Sequence, residues 1–214
     1  MPRLPRTRRS RPHAAIHAFL IGASVVALLA LCSPHASAAS LEREAAEGRW
    51  LFPPGRVTLG LLAGGGLSTA HKVRDANLLL VFPRVGYVLA QQEAFLPGSL
   101  EVVGELSYLV VFQERTSQVF GLAPLLKYNF WTGTRVTPFV EGGGGVTYAT
   151  IAVPETGTNF NFSAQVGLGA HFALAERVTL DFRTVYHHLS NANISDSNPA
   201  LNSASFSVGV SFLY

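Results

Sequence analysis

The sequence predicts an all-β protein, an eight-stranded antiparallel transmembrane β-barrel, and three observations predict it. From residue 57 onward, apolar and polar side chains alternate in eight segments of about 10 to 15 residues separated by turn residues. One face of these segments is nearly all Val, Leu, Phe and Tyr, whereas the other carries small, polar and charged residues. The chain also stops on Tyr214, at the end of an alternating aromatic segment.

The apolar face decides between a membrane and a soluble barrel. Eight strands can close on themselves, which leaves no open edge. A soluble barrel of the lipocalin kind, the alternative, has an apolar interior and a charged exterior. Here the polar face holds charges of both signs that can pair in a narrow lumen, which is typical of a barrel in the bacterial outer membrane.

The first 38 residues have the three parts of a secretory signal peptide. Five arginines precede an apolar stretch over residues 14–31, and Ala36, Ser37 and Ala38 form a small-residue cleavage site. We predict a signal peptide over 1–38, a short periplasmic segment over 39–56 and the barrel over 57–214. A lipoprotein site at Cys32 is the alternative, but the bulky Leu31 before it argues against lipidation.

Removal of residues 1–38 reverses the sign of the net charge. Five of the 16 Lys and Arg leave and none of the 13 Asp and Glu, so 11 basic residues face 13 acidic ones, a net charge of −2. Cys32 is the one cysteine and leaves too, which excludes disulfides and a thiol nucleophile. No basic patch with interleaved aromatics predicts a nucleic-acid partner. No later apolar run reaches the roughly 18 residues of a transmembrane helix.

The eight alternating segments follow one another along the rest of the chain. Their apolar faces span residues 57–67, 79–89, 100–112, 120–130, 136–148, 160–172, 178–186 and 206–214. With both ends of the barrel in the periplasm, the turns at 91–99, 131–135 and 174–177 are periplasmic. The loops at 68–77, 113–118, 152–158 and 191–201 are then extracellular.

The polar face predicts a lumen network of paired charges. Its members are Arg84, Glu101, Glu105, Lys127, Glu141 and Arg183. His187 lies on the same face of its strand as Arg183, so we predict that it points into the lumen and makes a structural hydrogen bond there. The spacing of His171, Asp181 and His187 gives no support for a metal site. The four glycines at 142–145 lack the lysine and helix of a phosphate loop, so they indicate strand curvature or close backbone approach.

The parity of the last two strands turns three polar residues towards lipid. Strand seven continues through Tyr186 to His188 and Ser190 on the apolar side, and counting back from Tyr214 puts Asn202 on that side too. Polar groups facing lipid are costly unless they interact with one another or with a headgroup. We therefore expect a functional site at the extracellular rim.

These residue types suit nucleophilic catalysis. His188 would take the hydroxyl proton of Ser190, which would attack an acyl carbonyl. Asn202 would hold the imidazole in one tautomer, and Asn191 would donate to the oxyanion. A His two residues before a Ser is by itself a weak signal.

The stretch H-L-S-N-A at 188–192, with the residues up to Asn202, resembles the lipid A 3-O-deacylases of the Gram-negative outer membrane. These are eight-stranded barrels that remove an ester-linked acyl chain from lipid A. The family pattern has a His and a Ser two apart, an Asn after the Ser, and a Glu twelve residues beyond the Ser. His188, Ser190 and Asn191 match this pattern, and Asn202 occupies the position of the Glu.

The resemblance implies an outer-membrane serine esterase acting on lipid A of lipopolysaccharide, among membrane lipids and without cofactor or metal. Its catalytic residues would be His188, Ser190 and Asn202, with Asn191 at the oxyanion. Two alternatives stay open because Asn cannot stabilise an imidazolium as a carboxylate does. One is a non-enzymatic barrel with a degenerate triad. The other is a phospholipase-like acyl hydrolase, since outer-membrane phospholipases resemble this site with Ser, His and Asn.

Several points are left open by the sequence. Asp196, in the loop after the site, is an alternative acid. The acyl position that is cleaved, a need for calcium, latency in the intact membrane and a homodimer are not decided.

Overall fold

Eight antiparallel strands close into a barrel in the computed structural model, which describes residues 51–69, 77–112, 116–151, 157–195 and 200–214. The strands are β1 (Val57–Ser68), β2 (Asn77–Gln92), β3 (Gly98–Phe112), β4 (Ser117–Phe130), β5 (Val136–Ala149), β6 (Phe160–Ala175), β7 (Val178–Ser190) and β8 (Leu201–Leu213). Each strand pairs with the next and β8 pairs with β1, so the sheet has no open edge. The predicted fold class is confirmed.

The two ends of the barrel differ in the length of their connections. At the end that carries both chain termini, β2–β3 and β4–β5 are joined by five residues and β6–β7 by two. At the other end the connections have eight, four, ten and ten residues. Short periplasmic turns and longer extracellular loops are the rule in outer-membrane barrels. The end of β7 and the start of β8 therefore lie at the extracellular rim.

The outer surface is an apolar belt. Its exposed side chains include Leu59, Leu61, Val85, Leu106, Leu122, Leu126, Val140, Val166, Leu168 and Phe206. A continuous apolar surface of this kind suits hydrocarbon rather than water. The structure shows no helix with the length and apolar character to cross a membrane within the ranges it describes. The predicted signal peptide lies outside those ranges.

The middle of the lumen holds four interlocked charges. Glu105 Oε2 lies 3.2 Å from Arg84 Nε and 3.0 Å from Arg183 Nη1. Both guanidinium groups also pair with Glu141. Two cations and two anions of one small cluster thus compensate each other away from water, as buried charges require. The predicted lumen network is confirmed.

The periplasmic end of the lumen is polar but closed by an aromatic ring. Lys127 Nζ lies 2.8 Å from Glu101 Oε2, and His171 Nδ1 lies 2.6 Å from Asp181 Oδ1. The ring of Phe52, which precedes β1 and is 2% exposed, packs 4.8 Å from the His171 ring. The segment before the barrel, to which the sequence assigned no role, thus closes this end of the lumen.

The extracellular half of the lumen contains a cluster of apolar side chains, here called the apolar cap. Its buried members are Leu62, Leu78, Leu80, Phe82, Leu109, Val111, Val119, Ala149, Leu189 and Leu201. Buried polar residues such as Thr147, Asn161 and Ser203 also lie in this half, so the expectation of a polar inner face is confirmed there only in part. The physical reason is that the interior of an eight-stranded barrel is filled by side chains and not by water, so apolar residues pack there as in a soluble core.

Candidate active site

Strands β7 and β8 bring His188 and Asn202 side by side. The two residues are direct antiparallel partners, and the next partners along the ladder are Leu189 and Leu201. Directly opposed residues have Cβ atoms about 4.5 to 5.5 Å apart. His188, Ser190 and Asn202 are half-buried on the outer face, as the parity predicted.

A hydrogen bond fixes the imidazole of His188. Its Nδ1 lies 2.7 Å from Oδ1 of Asn202. A carboxamide oxygen only accepts hydrogen bonds, so Nδ1 carries the hydrogen, and in a neutral imidazole the lone pair is then on Nε2. This tautomer is the one that a general base needs, with a polar neighbour on one nitrogen and the other nitrogen ready to accept a proton.

Ser190 lies on the same face as His188, one side-chain position closer to the rim. Same-face neighbours on a strand are separated by about 7 Å along the backbone. The two nitrogens of an imidazole flank Cε1, so Nε2 of His188 points away from Asn202 and β8. His188 and Ser190 therefore both lie on the lipid side of β7.

The wall that carries the site is backed by the apolar cap. Leu189, between His188 and Ser190 in the chain, points inward and is 3% exposed, and Leu201 beside it is 1% exposed. Both belong to the apolar cap. Tight packing of these two leucines fixes the backbone from which the polar residues project, because close-packed side chains resist displacement.

His187 points into the lumen, as its parity predicted. It is 4% exposed, its Nε2 lies 3.2 Å from Oγ of Ser205, and its ring stacks on Phe82 with centroids 5.9 Å apart. The guanidinium carbon of Arg183 lies 5.0 Å from the centroid of the same Phe82 ring. His187 thus connects the charged layer to the apolar cap and is remote from the outer face.

Asn191 fixes the turn that follows Ser190. Its side-chain Oδ1 accepts a hydrogen bond from the backbone N–H of Asn193 at 2.8 Å, and its carbonyl accepts one from Ile194 N–H at 3.1 Å. Ala192 and Asn193 have φ values of 52° and 63°. Two consecutive left-handed residues reverse the chain sharply, and Asn tolerates this conformation better than most residues.

The fully buried Asn191 side chain thus has a local structural task in addition to the oxyanion role that the sequence predicted for it. That role stays a prediction. Sequence reasoning missed the turn, although the pair of asparagines at 191 and 193 is the residue pattern that such turns prefer.

The other sequence candidates are Asp196 and the loose group of His171, Asp181 and His187. Asp196 falls outside the described residues. His171 and Asp181 form their ion pair at the periplasmic end of the lumen, whereas His187 contacts Ser205. In the ranges that the structure describes, no three His, Cys, Asp or Glu side chains come together in a way that could hold a metal ion.

Comparison with known proteins places the chain in a family that is described by its deacylation of lipid A. A family model described as lipid A 3-O-deacylase (PagL) matches residues 84–211, more than half of the chain, and this range includes every candidate site residue. Lipid A deacylase PagL of Bordetella bronchiseptica is 31% identical over 111 residues, which are 49% of this chain and 59% of that protein. The match thus spans less than two thirds of the relative's length.

Solved structures of other proteins were also compared with this chain, and they concern its fold. The outer membrane enzyme PagL is matched over 72% of this chain and 98% of its own, at 20% identity and a TM-score of 0.48. Neisserial surface protein A is matched over 73% of this chain and 95% of its own, at 16% identity and a TM-score of 0.52. At this identity the second likeness shows the barrel fold alone. With the family model spanning most of the barrel, the chain belongs to the lipid A 3-O-deacylase (PagL) family of the bacterial outer membrane.

Proposed function

We propose that this protein is a serine esterase that hydrolyses an ester-linked acyl chain of lipid A. Ser190 is the nucleophile, His188 is the general base and acid, and Asn202 orients His188. The observation that carries the proposal is the 2.7 Å hydrogen bond from His188 Nδ1 to Asn202 on the lipid-facing wall. It leaves Nε2 as the proton acceptor on the face that Ser190 shares.

The reaction proceeds in two halves. His188 Nε2 takes the proton of Ser190 as Oγ attacks the ester carbonyl, and the tetrahedral oxyanion collapses to an acyl-serine. The departing sugar oxygen takes the proton from His188. Water then gives its proton to His188, attacks the acyl-serine and releases the fatty acid, which restores the hydroxyl of Ser190. Every proton is thus carried by the chain's own imidazole.

Asn191 is the oxyanion donor of the proposal. Its position directly after the nucleophile supports this role, because donors beside the attacking residue are the usual way to stabilise such an oxyanion. Oδ1 of Asn191 is the atom that holds the turn, and an asparagine donates hydrogen bonds only through its N–H groups. Loss of one donor of this kind lowers kcat by about 10²- to 10³-fold.

The location of the site supports a lipid substrate of the outer leaflet. His188 and Ser190 project from the outer wall of the barrel near the extracellular rim, so a lipid can reach them laterally without entering the lumen. Lipid A combines acyl esters at membrane depth with a polar sugar at the surface. All three residues come from one chain, so the chemistry needs no second subunit, and a homodimer stays open.

Asn202 favours a second candidate. A neutral carboxamide orients the imidazole but does not neutralise the imidazolium that forms during the reaction. A phospholipase-like hydrolase of glycerophospholipids with Ser, His and Asn fits the same hydrogen bond. The non-enzymatic alternative is a barrel with a degenerate triad, which would bind a lipid without hydrolysing it.

Mass spectrometry of membrane lipids distinguishes these candidates. Lipid A and phospholipids are extracted from Gram-negative cells that lack a lipid A deacylase and that express the wild type or Ser190→Ala. Ser203→Ala, a fully buried serine on the inner face of β8, is the matched control. We expect lipid A to lose one acyl mass with the wild type and Ser203→Ala and to stay intact with Ser190→Ala.

Other outcomes identify the alternatives. Lysophospholipids with intact lipid A would support the phospholipase-like enzyme. Unchanged lipids with a folded wild-type barrel would contradict the esterase proposal and leave the degenerate barrel.

A further inference from the structure

The β2–β3 turn at the periplasmic end of the barrel carries two exposed apolar side chains. Phe95 is 76% exposed and Leu96 is 55% exposed. The β6–β7 turn, on the opposite wall of the barrel, consists instead of two charged residues, Glu176 and Arg177. Adjacent apolar side chains at a position that tolerates charge on the other wall indicate a contact surface.

A β-bulge interrupts β2 just before this turn. In the pairing of β2 with β3 the register shifts between Val88 and Ala90, so Leu89 is an extra residue on β2. Such bulges bend a strand and redirect the residues that follow. Leu89 points outward and is 50% exposed. The apolar belt therefore continues along the end of β2 towards the turn.

Tyr128 fixes the turn at the outer wall of the barrel. Its ring crosses the start of β3 over Gly98, where a Cβ atom would lie 2.5 Å from Cε1 of the ring. Since Gly98 has no side chain, the Tyr128 hydroxyl can donate a hydrogen bond to the Leu96 carbonyl at 2.6 Å. Lys127 and Asn129 are buried in the lumen, so Tyr128 between them lies on the lipid side of β4. The turn is thus held at the lipid side of the wall.

The backbone of the turn is kept in an uncommon conformation. Leu96 has a φ of 52°, a left-handed value that is rare for a bulky side chain. Gln92 Nε2 donates to the Phe95 carbonyl, and the backbone N–H of Trp131 donates to the Pro97 carbonyl at 2.8 Å. With the bond to the Leu96 carbonyl, three consecutive carbonyls are fixed. A costly conformation that is held in this way indicates a constraint on where Phe95 and Leu96 point.

We propose that the β2–β3 turn is a lipid anchor, in which Phe95 and Leu96 insert among the acyl chains of glycerophospholipids in the periplasmic leaflet. The turn is continuous with the apolar belt and is bound to it through Tyr128, so the geometry favours lipid over a periplasmic protein as the partner. Tyr and Trp side chains, here Tyr128 and Trp131, prefer the level at which headgroups meet hydrocarbon. The anchor resists displacement of the barrel towards the outer leaflet, and it does not depend on catalysis by Ser190.

Phe95→Trp tests the surroundings of the turn directly. The mature chain is folded into phosphatidylcholine vesicles with Trp50→Phe and Trp131→Phe as background, so that the introduced indole is the sole tryptophan fluorophore. Glu176→Trp in the same background is the matched control, because it puts the indole in the charged turn of the opposite wall. Vesicles are prepared with and without bromine on the acyl chains, since bromine quenches an indole that it contacts.

We expect the emission of Phe95→Trp to lie at shorter wavelength than that of Glu176→Trp and to lose more intensity in brominated vesicles. The physical reason is that an indole among acyl chains is shielded from water. Acrylamide in the aqueous phase should quench the two variants in the opposite order. Equal quenching of both by brominated chains, or stronger quenching of Phe95→Trp by acrylamide, overturns the anchor and favours a periplasmic protein as the partner.

A second measurement leaves the tryptophans of the chain unchanged. Phe95→Ser should lower the equilibrium constant for folding in vesicles by about 10- to 10²-fold, the range expected when one phenylalanine loses apolar surroundings. Glu176→Ser should change this constant by no more than about twofold, as expected for an exposed substitution. Urea titrations followed by the heat-dependent gel shift of closed barrels give both constants. Equal constants in the two variants overturn the anchor even if the tryptophan background does not fold.

Discussion

His187 and His188 are adjacent in the chain and serve opposite sides of the barrel wall. His187 lies in the lumen, stacked on Phe82 and beside Ser205. His188 lies on the lipid side and binds Asn202. The period of two in a strand separates them completely. One residue of displacement thus decides whether an imidazole packs in the lumen or lies on the outer face, where we propose that His188 acts as the base.

The two regions also handle polarity differently. In the lumen, full charges compensate each other in the cluster of Arg84, Glu105, Glu141 and Arg183. On the lipid side, the described site is built from neutral groups, with a carboxamide where the family pattern has a carboxylate. A charge that faces lipid is expensive, whereas a neutral hydrogen-bonded pair is tolerated. The lumen charges stabilise the fold, and the rim residues are the ones for which we propose a catalytic role.

The largest expected effect contrasts the two histidines. His188→Ala should lower ester hydrolysis by at least about 10³-fold, because removal of the base of a catalytic triad disables the nucleophile. His187→Phe, which keeps an aromatic ring against Phe82, should leave the rate within about tenfold, as its side chain has no contact with the outer face. Initial rates with p-nitrophenyl butyrate measure both. Equal losses in the two variants would contradict the division of roles.

The next effect is on stability. Arg183→Met should lower the free energy of unfolding by about 3 to 5 kcal/mol, because it leaves Glu105 and Glu141 with Arg84 as their remaining strong partner in the cluster. Thr184→Ala, the adjacent residue on the lipid side, should change it by no more than about 0.5 kcal/mol. Urea unfolding in lipid vesicles gives both values. A Met variant as stable as the wild type would show that the cluster is not needed for the fold.

The smallest effect concerns Asn202. Asn202→Ala removes the hydrogen-bond acceptor of His188 Nδ1, so kcat should fall about 10²-fold, the lower end of what general acid–base catalysis contributes. Asn202→Glu restores the charge of the family pattern and should raise kcat above wild type, because a carboxylate stabilises the imidazolium. Rates at fixed pH with the butyrate ester test this order. A wild type faster than Asn202→Glu would show that the site is adapted to the carboxamide.

Much of this fold could be predicted from the alternation of apolar and polar residues alone. The eight strands, the lumen charges and the outward parity of His188, Ser190 and Asn202 all follow from a period of two, which is a local property. Local patterns did not reveal that Phe52 closes the periplasmic end or that an apolar cluster packs in the extracellular half of the lumen. Both depend on which side chains meet across the barrel, and alternation does not carry that information.

The sequence by itself determined which face each site residue occupies, because the direction of a strand side chain depends only on its place in the alternation. The tertiary structure decided which side chains on the neighbouring strands lie beside each site residue. The β6–β7 pairing contains an irregularity between Ala173 and Ala175, next to a two-residue turn. A shift of one residue there would turn the other face of β6 outward and replace Ala164, the direct β6 partner of His188. Lateral neighbours are set by register, and register is fixed by the turns and packing of the whole barrel.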